Sequence, residues 1–122
     1  SRLNSGVRPR MGSMSHTEYI NALRTDAARV ASEALAGRIH LLEACHTLSS
    51  LLARAELEAN DPDLDAFVLI SSETDALPVG AVRERWDPVA LEHLQPEIDS
   101  AITWAVPIAT PALKSVVCRF KA

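Results

Sequence analysis

The chain has 122 residues with a formal charge of −4, two cysteines and four glycines, enough for one small hydrophobic core and no second independent one. Apolar residues at 48% and charged residues at 23% set a globular balance, with no uninterrupted apolar run near the ~18 residues of a membrane span. Two cysteines without zinc-type spacing exclude a disulfide scaffold and a cysteine-based metal site, and the acidic balance disfavours nucleic acid, which is bound by cations.

In chain order, SRLNSGVRPRMGS carries Arg2, Arg8 and Arg10 without an apolar run, and Gly12-Ser13 before Met14 has the look of a cloning scar. Residues 1–13 are therefore expected to be a vector-derived leader and 14–122 a single helical domain. Without that leader, nine basic residues face sixteen acidic ones. From His16 to Ala36, Ile20, Leu23, Ala27, Val30, Ala31 and Ala34 recur at helical spacing, with Asn21, Thr25, Arg29 and Ser32 opposite. From Arg38 to Glu58, Leu41, Ala44, Cys45, Leu48, Leu51, Leu52 and Ala55 form a second stripe. Gly37 lies between them as a C-cap signal; a bent continuous helix competes with two separate ones, and a break is favoured. Asp61-Pro62 starts a third helix, predicted to reach about Ser72, with Asp63 and Asp65 at its positive end. Phe67-Val68-Leu69-Ile70 alone also fits a short buried strand. Asp87-Pro88, Gln95-Pro96 and Thr110-Pro111 each read as helix starts and Pro107 as a stop or kink. The predicted fold is all-α, a bundle of four to six helices whose C-terminal third is segmented by prolines.

His40, Glu43 and His46 fall at i, i+3 and i+6, and Glu43-x-x-His46 matches half of the ligand set of a di-iron bundle. The other half is missing, and the wheel places these residues off the apolar stripe, so a solvated polar face competes with a metal site. Cys45-His46 is a weak nucleophile-and-base pair, because adjacent helical residues diverge by about 100° and Cys45 lies in the apolar stripe. Asp61-x-Asp63-x-Asp65 opens like a calcium loop but has Ala66 and Ser72 where that loop needs Gly and Glu. No phosphate loop, dinucleotide fingerprint or hydrolase elbow occurs. The fold calls for no cofactor.

The acids concentrate centrally: twelve lie between Glu56 and Asp99, against Arg83 and Arg85 alone. Within this region Glu73 and Asp75 oppose the dipole at the end of the third helix. Arg83 or Arg85 folding back on them, with Ser72 or Thr74 capping the next turn, would make a structural corner under Trp86. Alternatively the corner is a recognition surface with Trp86 as aromatic anchor; a paired-carboxylate enzyme using Glu73 and Asp75 lacks a nameable base or nucleophile.

The block Ser72-Glu73-Thr74-Asp75-x-Leu77-Pro78-x-Gly80-x-Val82-Arg83-x-x-Trp86 resembles one in short uncharacterised bacterial proteins, over about residues 34–120, and implies no activity. In size and charge the chain is also similar to toxin-neutralising immunity proteins, an analogy without a shared motif. The function expected is a non-enzymatic, cytoplasmic protein that masks a basic protein partner through Asp61, Asp63, Asp65, Glu73, Asp75 and Trp86, with no nucleic acid and no membrane among its partners. The alternatives are a metal-dependent protein using His40, Glu43 and His46, and a homodimer joined through apolar surface of the C-terminal third.

Overall fold

A computed structural model describes residues 15–58, 60–78 and 85–121; the expected leader and the stretch holding Gly80, Val82 and Arg83 lie outside them. The described chain is all-α with four helices: α1 (His16–Leu35), α2 (Leu41–Arg54), α3 (Pro62–Thr74) and α4 (Pro88–Phe120). Helix α1 starts in a capping box, in which Ser15 Oγ accepts from the Glu18 amide and Glu18 returns the bond to the Ser15 amide. It stops at Leu35, and Gly37 takes φ +79°, a left-handed turn that separates α1 from α2 as favoured. The second helix is shorter than its stripe. His40 caps its start through Nδ1, Ala55 closes its end, and Glu56 then takes φ +55°. Asp61 caps α3 as expected and Pro62 occupies its first turn; Phe67 to Ile70 are helical, so the strand alternative falls.

Each helix packs against its sequence neighbours, and α1 also packs against α4; the α2–α4 diagonal is the lighter contact. Cross-helix bonds set the directions. His16 on α1 meets Glu56 beyond the end of α2, and α3 meets the last turn of α4 through Asp63, so successive helices run antiparallel. The central cluster draws Leu23, Val30, Leu42, Leu48, Leu52, Phe67, Ile70, Leu113 and Val116 from all four helices. Both α1 and α4 bring buried alanines to the core they share, Ala27 and Ala31 from the first and Ala105, Ala109 and Ala112 from the second. Small side chains there permit close approach of the two backbones.

The C-terminal third is one helix of 33 residues with Pro96, Pro107 and Pro111 inside it, which corrects the expected segmentation. The reason lies in where the missing amides fall. All three prolines are exposed, and so are Glu92, Thr103 and Pro107, the residues four positions earlier. Each carbonyl deprived of a helical donor can therefore turn to water instead of being buried unsatisfied. Its packing against α1 meanwhile holds the helix in place. At 1.5 Å per residue α4 is about 50 Å long against about 30 Å for α1, so its N-terminal part overhangs the bundle. None of Pro88 to Glu97 is buried, and inward packing begins at Ile98. By length and composition α4 could cross a membrane, with an 18-residue window of mean hydropathy 1.4, of which 28% is buried against the other helices.

Candidate functional site

Two of the acids expected to meet a partner are occupied internally. Asp61 Oδ1 accepts from the amides of Asp63 and Leu64, capping α3, while Oδ2 accepts from Arg119 Nη2 at 2.7 Å. Arg119 Nη1 reaches Asp63 Oδ2 at 2.8 Å and Asp61 Oδ1 at 3.1 Å, and Ser115 Oγ donates to Asp63 Oδ2 at 2.6 Å. Both carboxylates are nearly sealed, with side chains 7% and 10% exposed. The Arg119 guanidinium holds the Asp61 carboxyl below the usual carboxylate range, and its own pKa is raised in return. Phe120 lies under this cation, with Arg119 at 4.8 Å and Arg24 at 5.7 Å from the ring centre. Asp61 and Asp63 are thus a structural clasp between α3 and α4, a correction to the expected partner surface. Asp65, two residues past Asp63, is exposed.

The proposed metal trio is also dispersed. His40 is spent on the α2 cap, and Glu43 stands half-buried in the first turn. His46 turns instead to α3, with Ser71 Oγ 2.6 Å from Nδ1 and Thr74 Oγ1 3.5 Å from Nε2. The Thr74 hydroxyl donates to the Ile70 carbonyl at 2.7 Å, leaving its oxygen to accept from Nε2–H; Nδ1 is then the acceptor for Ser71. Among the described residues no three His, Cys, Asp or Glu side chains come together as a metal site. Cys45 is fully buried, and burial pushes its thiol up to about 12, so it is a core residue and no nucleophile at neutral pH.

The predicted corner has a different form. Thr74 is buried and bonded within its own helix and to His46, so it caps nothing beyond α3. Ser72 is exposed, Arg83 lies outside the described residues, and Arg85 is exposed with no ion pair to Glu73 or Asp75 among them. The acids at the end of α3 therefore remain without a described counter-charge, in addition to the partial negative charge of the helix end itself. Trp86, 38% exposed, follows the undescribed stretch.

What the helix ends do create is a groove of about 670 Å³ where the overhang of α4 leaves the bundle. One wall is the last turn of α3 and its exit, with Glu73, Thr74, Ala76 and Leu77; the other is α4, with Pro96, Glu97, Ser100, Ala101 and Trp104. Trp104 is 40% exposed, and among the described residues no Lys, Arg or His lines the groove. A second depression, along Glu18 to Arg29, is lined among the described residues by α1. The sequence reading missed Glu97 and Trp104; the signal available was Glu97-x-x-x-x-x-x-Trp104, two helical turns on one side of α4. No protein-family model, curated protein or solved structure matches the chain.

Proposed function

We propose that the protein is a non-enzymatic binding protein that masks a basic surface of another protein, in the manner of an immunity protein. The observation that carries this reading is the exposed acid around the end of α3, Glu73 and Asp75 together with Glu97 of α4, with no ion-pair partner among the described residues and beside the half-exposed Trp104. Such a field attracts cations and repels anions, speeding encounter with a basic partner. It also argues against an anionic membrane surface as the natural target of the apolar residues on α4. The metal alternative has no support in the positions of His40, Glu43 and His46.

The test is selection of binders from a randomised 16-residue peptide library on the immobilised chain, followed by affinity measurements at low and high salt. Arg- and Lys-rich sequences whose affinity falls steeply with added salt are expected. Neutral or acidic sequences, or salt-insensitive binding, would overturn the reading. Uptake of the chain by phosphatidylcholine vesicles in place of peptide binding would overturn it in favour of a lipid surface.

A further inference from the structure

Resting on the basic-partner reading, we infer that the α3–α4 groove is the seat of that interaction, and that its occupant is an amphipathic helix of the partner protein that places an arginine between Glu73, Glu97 and Trp104. Three features of the same short stretch select a cation. Glu73 and Glu97 stand on opposite walls, with no basic residue among the described residues of the lining. The C-terminal end of α3, whose Thr74 carbonyl accepts from the Leu77 amide, contributes the negative end of its dipole. The exposed indole of Trp104 offers an electron-rich face. Arginine fits this set better than lysine, since one planar guanidinium can stack on an indole and fork to a carboxylate.

Helical spacing places apolar side chains one turn beyond the groove on both of its helices. Leu69 precedes Glu73 by one turn on α3 and is 46% exposed, while Ile108 follows Trp104 by one turn on α4 and is half-buried. Two antiparallel helices thus present an acidic end and an apolar end in sequence, and the complementary ligand carries an arginine about one turn from leucine-like side chains. A second copy of this chain is a poor occupant. Symmetric pairing would set Glu73 and Glu97 against like charges, and every described arginine except Arg85 already bonds an acceptor in its own chain.

The experiment uses the whole chain with Trp86→Phe, so that Trp104 is the single fluorescent reporter. The probe is a 16-residue amphipathic helical peptide with two arginines one turn from a pair of leucines, compared with a twin carrying glutamate for arginine. Saturable change of Trp104 emission by the arginine peptide alone is expected, weakened about tenfold or more by Glu73→Gln with Glu97→Gln. Unchanged melting of that exposed double variant confirms that folding is not the cause. If the arginine peptide binds but leaves Trp104 emission and the double variant unaffected, the groove is wrong while the basic-partner reading stands. If neither peptide binds, or both bind equally, the basic-partner reading itself fails. Sedimentation showing a dimer whose formation shifts Trp104 emission would overturn the inference in favour of a second copy.

Discussion

Replacing Arg119 by methionine keeps the aliphatic stem and removes the charge that holds Asp61 and Asp63. Three charge-assisted hydrogen bonds disappear, at 2.7, 2.8 and 3.1 Å, and two carboxylates with 7% and 10% side-chain exposure are left facing each other without a cation. Breaking a buried pair from one side costs about 3–5 kcal/mol. Arg119 itself is 35% exposed, and Asp61 keeps its capping amides while Asp63 keeps Ser115. Screening by water and these remaining partners reduce the expected loss to about 2–3 kcal/mol, or roughly 10 °C in melting temperature for a domain of this size. Urea unfolding followed by circular dichroism at pH 7 measures it, and Arg119→Lys, which keeps charge but not the fork, should fall between parent and methionine variant. The loss should also depend on pH. Asp61 has a lowered native pKa, so its contribution is complete above the ordinary carboxylate value near ~4 and fades as pH drops through the depressed value. The gap between parent and variant should therefore narrow in acid. A loss below about 0.5 kcal/mol at pH 7, the range of an exposed surface pair, or a gap that widens on acidification, would refute the clasp.

Gly37→Ala should destabilise by about 1 kcal/mol in the same assay, entirely through backbone strain at φ +79°, because the added methyl meets no atom within 4 Å; a neutral effect would show that the turn relaxes. Pro107→Ala should stabilise by about 1–2 kcal/mol, as α4 regains an amide donor toward Thr103 against a modest gain in unfolded-chain entropy, and a lower melting temperature would show that α4 needs its proline there. Iodoacetamide at pH 8 followed by mass spectrometry should modify exposed Cys118 and spare Cys45 until denaturant is added; native labelling of Cys45 would contradict its place in the core.

The starts of α1 to α3 were readable because their signals are local. Asp61-Pro62 and Gly37 act within a turn of themselves, and the Leu and Ala periodicity of α2 needs no partner to be seen. The failures share a different cause, which is dependence on distant residues. Asp61 and Asp63 looked like free surface acids because the neutralising guanidinium, that of Arg119, stands more than fifty positions away. His46 looked solvent-facing because a single apolar stripe was assigned to α2, whereas a helix flanked by α1 and α3 has two packed sides, and the second is met by Ser71 and Thr74. The prolines of α4 were correct as local warnings and were overridden by the packing of α4 on α1 and by the exposure of the residues whose carbonyls they leave bare. For the same reason the groove was half visible: Glu73 was singled out, and its opposite wall, Glu97 and Trp104, was not.

The Arg119 clasp closes a loop of 58 residues onto Asp61, and because its geometry needs the ends of both α3 and α4 in place, it is expected to form on the late side of folding. An interaction made on the late side of the folding barrier leaves the folding rate nearly untouched and slows escape from the native state instead. The practical lifetime of the folded molecule, rather than the ease of reaching it, is then what this arginine governs.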